Sequence, residues 1–280
     1  MSITLGNDIS KWQGDVNFDV FKNNTQFVIV KATEGNGFTD PKFKRNQTEA
    51  RRVGLLLGYY HFARPDLGNT PEQEANYFLT TVGELKEGEL IALDYECPNQ
   101  KQSDVDWCRK WLDLVFAKTK VRAFIYLNQS QIYNFNWQTV IDGSYALWVA
   151  KYTYNPYLND FNASEFKTAA MQQWSNGQQV PGASGGIDAN VFFGDINTLK
   201  KYGFKPAVVV PPAPTPPVVI TDPETKISIG KVGETEYGEK KLKDVRDILG
   251  ALRIEINTLK GEQEKYNRLK DAIKNLASNA

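Results

Sequence analysis

Histidine occurs once and cysteine twice in 280 residues. That leaves no His/Cys constellation for zinc and no disulfide framework, so no metal or other cofactor is expected. Cys97 and Cys108 read as free, partly buried thiols. Charge of one sign is not in excess, since 33 basic residues balance 33 acidic ones. Nucleic acid is thereby excluded as the main ligand, because phosphate binding depends on surplus positive charge. No run approaches the ~20 apolar residues that span a bilayer, so no membrane insertion is expected. The start, "MSITLGNDISKWQG", has no basic residues leading into an apolar stretch, so no standard secretory signal is expected.

What is present divides the chain. "KPAVVVPPAPTPPVVITDP" (205–223) is a proline-rich spacer, because successive prolines lack amide donors and favour extended backbone. It separates a unit at 1–204 from a tail at 224–280. In the first unit, short apolar runs occur at 3–10, 27–35, 55–63, 90–96 and 121–127, with amphipathic stretches between them. One of these starts at Thr70-Pro71 with Gln73 completing a capping box. Another starts at Ser103 and carries Trp107, Trp111 and Val115 on one face. Further runs at 144–152, 169–175 and 185–193 follow without good helices between them. Strand–helix alternation predicts a parallel sheet covered by helices. Eight strands predict an α/β fold, an irregular (β/α)8-like barrel with missing or stunted last helices.

The run "LIALDYECP" (90–98) ends in two carboxylates. Side chains alternate along a strand, so Ala92, Asp94 and Glu96 share one face while Leu93 and Tyr95 take the other. Facing inward at the barrel mouth, the two acids have Cα atoms about 6–7 Å apart. Two carboxylates in one enclosed site cannot both ionise cheaply, so one retains a proton near neutral pH. A proton donor beside a fixed negative charge is what glycosidic cleavage requires. An isolated Asp-x-Glu at a strand end is more often merely solvated. Here, however, other strand ends also carry ionisable or aromatic groups: Asp8, Lys31 and Glu34, His61 and Arg64, Tyr126, Lys151, and Asp188. Burying so many without function would cost stability.

Six blocks together, "DISKWQG" (8–14), "FVIVKATEG" (27–35), "GYYHFARP" (58–65), "ALDYE" (92–96), "LWVAKY" (147–152) and "GGIDANVF" (185–192), resemble the family 25 glycoside hydrolases, N-acetylmuramidases of the phage endolysin type. The resemblance covers residues 3–204. It implies an irregular barrel and hydrolysis of the β-1,4 bond from N-acetylmuramic acid to N-acetylglucosamine in bacterial peptidoglycan. It also implies synthesis in a host bacterium's cytoplasm and action on the wall after release. By the same resemblance Glu96 matches the general acid, Asp94 its partner, and Asp8 and Asp188 two further acids of the site. Tyr60, Tyr126, Trp148 and Trp174 are candidates for stacking on sugars. Lys31, His61, Arg64 and Asn190, with Glu34 beside them, are candidates for polar contacts to substrate. Asn7 departs from the family pattern, which is usually apolar there, on the face expected to meet helices. The alternative reading is a module of the same barrel that grips wall glycan without cutting it.

In the tail, Leu242, Val245, Leu249, Leu252, Ile256 and Leu259 recur at spacings of three and four, which predicts a helix. Such a stripe suits a coiled coil and a homo-oligomer. A wall-targeting segment is the other expectation for this stretch, although it lacks a repeated aromatic motif.

Overall fold

All eight apolar runs become strands of one closed sheet. The structure, a computed structural model, describes residues 2–206. The expectations for the spacer beyond residue 206 and for the tail lie outside the described residues. The strands are β1 (Thr4–Ile9), β2 (Phe27–Glu34), β3 (Phe38–Thr39), β4 (Leu56–Phe62), β5 (Leu90–Asp94), β6 (Phe124–Asn128), β7 (Leu147–Ala150), β8 (Met171–Gln179) and β9 (Gly186–Phe192). The ring runs β1-β2-β4-β5-β6-β7-β8-β9 and closes because β1 pairs with both β2 and β9. The short β3 is a hairpin partner on the end of β2.

Alternation along these strands sorts the core into two layers. Phe27, Ile29, Leu90, Ala92, Phe124 and Met171 fill the barrel. Val28, Val30, Leu57, Ile91, Leu93 and Tyr95 pack outward with Phe78, Trp111, Leu112 and Val115 of the helices. Glycine makes the interior possible, since a Cβ on Gly6 would lie 2.5 Å from the Phe27 ring. The helices are α1 (Phe18–Phe21), α2 (Phe43–Arg52), α3 (Pro71–Val82), α4 (Ser103–Thr119), α5 (Gln129–Asn134), α6 (Gln138–Asp142) and α7 (Ile196–Lys200). The capping box at Thr70 and Gln73 forms as predicted and starts α3. Trp111 and Val115 of α4 are buried, and Trp107 is partly buried with its indole N–H on the Asn69 carbonyl. Both cysteines are free and buried.

Two expectations need correction. The sheet is not wholly parallel, because β9 runs antiparallel to both β8 and β1. Only residues 180–185 join β8 to β9, too few for a crossover of a dozen or more, so the pair must form a hairpin. The last helices are missing or stunted as expected, and α7 lies at the barrel floor. Leu199 of α7, with Ile196 and the following Tyr202, joins the interior cluster and closes the barrel floor, where Tyr202 stacks on Phe124 at 5.2 Å. Asn7, expected on a face that meets helices, sits among residues of the neighbouring strands. It is buried beside Trp174 and Ala189 and donates from Nδ2 to the Asp188 carbonyl at 2.9 Å.

Candidate active site

The barrel mouth holds a cavity of about 210 Å³ lined by Asp8, Asp94, Glu96 and Asp188 together with Lys31, Tyr60, Tyr126 and Trp148. Asp94 ends β5, and Glu96 follows on the same face. Asp8 near the end of β1 lies directly opposite Asp188 of β9, a pairing that only the antiparallel β9 makes possible. Asp8 Oδ1 accepts from Gln173 Nε2 at 2.9 Å and from Asn190 Nδ2 at 2.8 Å. Gln173 Oε1 in turn accepts from the Tyr126 hydroxyl at 2.8 Å, and Asn190 Oδ1 from the Trp148 indole at 2.9 Å. The aromatic rings of Tyr126 and Trp148 meet edge to face at 4.8 Å. This network holds Asp8 and both rings in one arrangement.

The four acids are held above the ordinary carboxylate range. Burial raises Asp8, against the hydrogen bonds from Asn190 and Gln173. Burial and then the Asp8 charge push Asp188 up to about 8. Burial and then the Glu96 charge push Asp94 well up. Its Oδ1 has no hydrogen-bond partner. Glu96 is open to the cleft yet surrounded by protein on most sides, and burial followed by Asp8 lifts it to about 6. Lys31 acts in the opposite direction on both Asp94 and Glu96. The Glu96 charge thus raises the proton affinity of Asp94, its neighbour on the same face.

Several sequence candidates lie elsewhere. His61 points away from the cavity. It is fully buried behind β4, stacked on Trp111 at 5.3 Å, with Nε2 2.7 Å from Glu74 and Nδ1 2.7 Å from the Thr33 hydroxyl. Burial holds its imidazole below the usual value. Trp174 faces outward from β8 into a small cluster with Ala189 and Val191. Glu34 and Arg64 do not line the cavity either; they form an ion-pair chain from Lys31 through Glu34 at 2.7 Å to Arg64 at 2.9 Å and on to Asp66 at 2.8 Å. Asn190 is fully buried and reaches the cavity only through Asp8 and Trp148.

Five lining residues were missed: Ser10, Trp12, Phe62, Tyr152 and Gln173. Gln173 is the inward neighbour of Trp174, two residues on from the inward Met171, and strand parity alone would have found it. Tyr152 follows β7 in an irregular stretch with no periodic signal. It lines the cavity, and its hydroxyl is pushed up to about 12 by burial and by the nearby acids. Trp12 sits inside the "DISKWQG" block on the 3₁₀ turn after β1 and also lines the cavity.

An irregular closed barrel with four carboxyls gathered at its mouth defines a class of carbohydrate-cleaving enzymes. The chain belongs to the glycosyl hydrolases family 25, whose model matches residues 7–183. It is 32% identical over 207 residues to the uncharacterised protein YegX of Escherichia coli K12, covering 70% of this chain and 72% of that one. It is 30% identical over 216 residues to Lysozyme M1 of Streptomyces globisporus, covering 69% of each. Among solved structures, a bacterial lysozyme from Streptomyces coelicolor is similar with a TM-score of 0.61 and 28% identity, covering 72% of this chain and 97% of that chain. The CTP1L endolysin is similar with a TM-score of 0.59 and 28% identity, covering 71% of this chain and 69% of that chain.

Proposed function

We propose that this protein is a lysozyme that hydrolyses the β-1,4 bond from N-acetylmuramic acid to N-acetylglucosamine in peptidoglycan, with Glu96 as the general acid. The observation that carries the reading is the gathering of Asp8, Asp94, Glu96 and Asp188 around one cavity where burial raises the proton affinity of each. Glu96 gives its proton to the glycosidic oxygen, the bond from C1 breaks as positive charge develops there, and a water oxygen finally bonds to C1 while its released proton restores the carboxyl group. Asp94 faces the charge that develops at C1. In the empty cleft, burial and the missing partner at Oδ1 favour the proton on Asp94. A sugar acetamido N–H directed at Asp94 would favour its ionised form, and that charge would in turn favour the proton on Glu96. Tyr126 and Trp148 supply the walls against which a sugar ring lies.

Digestion of purified cell walls, followed by analysis of the new reducing ends, tests this reading. Muramic acid at those ends supports it; glucosamine there, or no release, overturns it. The similarity to an endolysin supports synthesis inside a host bacterium and action on the wall after release. Among the described residues no helix is long and apolar enough to cross a membrane. For the tail, the spacing from Leu242 to Leu259 supports a paired helix and a homodimer. Light scattering should then give a dimer for the full chain and a monomer for residues 1–204. A monomeric full chain at tens of micromolar would end that reading.

A further inference from the structure

Two banks of exposed aromatic side chains flank the mouth. On one bank stand Trp12, 80% exposed, and Phe38, 37% exposed; on the other stand Tyr152, 42% exposed, and Tyr154, 67% exposed. Phe38 lies on the hairpin extending β2, and Tyr152 follows β7. In a ring ordered β1-β2-β4-β5-β6-β7-β8-β9, β2 and β7 are diametrically opposite, so the banks face each other across the four acids. Only the first bank carries a cation against its rings. The Lys11 ammonium lies 4.9 Å from the Trp12 ring centre and 5.1 Å from that of Phe38. Among the described residues no carboxylate pairs with it, whereas Lys31, behind it, is committed to Glu34 at 2.7 Å and Lys42 to Asp15 at 2.7 Å.

The turn that presents Lys11 is fixed from below. The Lys11 backbone N–H donates to the buried carboxylate of Asp40 at 2.9 Å, and the Ser10 N–H donates to Gln13 Oε1 at 2.8 Å in a capping box. The backbone is therefore preorganised, and only the lysine side chain has to settle on a ligand. The floor of the mouth is acidic and repels an anion, so an anionic substituent on a substrate must be held away from it. The muramyl sugar carries such a substituent, a lactyl arm that ends in a carboxylate or continues into a peptide with its own carboxylates.

Resting on the muramidase reading above, we propose that Lys11, braced by Trp12 and Phe38, binds a carboxylate carried on the lactyl arm of the muramyl sugar and selects muramyl glycan over neutral N-acetylglucosamine polymers. The ammonium forms a charge-assisted contact, and the exposed indole covers the apolar face of the arm.

The test compares the full-length protein with Lys11→Met and Lys11→Arg on three substrates: intact walls, glycan strands stripped of peptide so that each lactyl arm ends in a free carboxylate, and the same strands with that carboxylate capped as an amide. Lys11→Met should lower kcat/KM roughly tenfold, mostly through KM, wherever the carboxylate is present. Lys11→Arg should restore most of it. A penalty on stripped strands assigns the contact to the lactyl carboxylate itself; a penalty on intact walls alone assigns it to a peptide carboxylate. On capped strands the penalty should vanish. An equal penalty on capped and free strands, or no penalty on any substrate, overturns the proposal. A wild-type protein that cuts none of the three would instead overturn the muramidase reading.

Discussion

Two buried carboxyl groups on opposite sides of the barrel wall show how differently one fold can treat the same chemistry. Glu74, behind β4, is 0% exposed and Asp94, at the mouth, is 8% exposed. Glu74 Oε2 lies 2.7 Å from His61 Nε2 and accepts the Arg64 N–H at 3.1 Å, while its Oε1 accepts Asn69 Nδ2 at 2.9 Å. Asp94 Oδ1 has no partner, and its charged neighbours are Glu96, Asp8 and Glu34 against the one cation of Lys31. Burying a carboxylate costs several kcal/mol unless donors repay it. Behind the sheet the cost is met and the group is inert. At the mouth it is left standing, and the proton affinity it creates is available for chemistry.

Glu96→Gln should break the mouth's half of this comparison most severely, cutting turnover on cell walls by roughly two to four orders of magnitude. Circular dichroism and melting temperature should stay at wild-type values, and near-full activity between pH 5 and 7 would remove Glu96 from the acid role. Asp94→Asn should be nearly as damaging to kcat and should leave stability unchanged or raised, because a poorly satisfied carboxyl has been replaced by a neutral group. Glu74→Ala should do the reverse. It strands the donors of His61, Asn69 and Arg64 and should cost roughly 3–5 kcal/mol in denaturant unfolding, while the activity of the remaining folded protein persists.

Asp188→Asn is a smaller and pH-dependent case. The group's folded-state pKa is raised to about 8 from an ordinary value of 3.8. Between those values the unfolded chain binds fewer protons than the folded one, so this residue's contribution makes stability fall as pH rises. The variant should therefore melt higher than wild type at pH 8 by a few degrees, roughly 2–4 °C per kcal/mol relieved. It should show no advantage at pH 4, and activity should fall in both conditions. The smallest expected effect is a shift in profile. With Glu96 raised to about 6, kcat/KM should decline as pH rises through that value. Lys31 lowers Glu96, so Lys31→Met should move the declining limb to higher pH; a limb that stays in place would show that Lys31 does not tune the acid.

Much of the site was legible from strand parity where parity was applied. Along β5 it placed Ala92, Asp94 and Glu96 inward and Leu93 and Tyr95 outward, which is how the two layers form. Along β4 and β8 the choice instead followed residue type. His61 was taken for its chemistry although Tyr60 beside it faces the cavity, and Trp174 for its ring although Gln173 is the residue that lines it. A histidine behind a sheet and one in its mouth look alike when read singly, and only the position of an inward neighbour separates them. In β2 the register shifts between Lys31 and Thr33, so even parity fails beyond Lys31, and the outward set of Thr33 could not have been read from alternation.

The amino-acid sequence by itself determined the eight strands, the capped start of α3 at Thr70, the two-sided pattern that makes a barrel wall, and the presence of Asp94 and Glu96 on one inward face. These follow from periods and caps that act over a few residues. Tertiary structure alone decided which distant groups share a charge environment. It turned β9 antiparallel and so set Asp188 against Asp8. It brought Gln173 and Asn190 onto one Asp8 oxygen, and it left Asp94 Oδ1 without a donor. A carboxyl's proton affinity depends on desolvation and on partners far away in the chain, and no local pattern of residues encodes either.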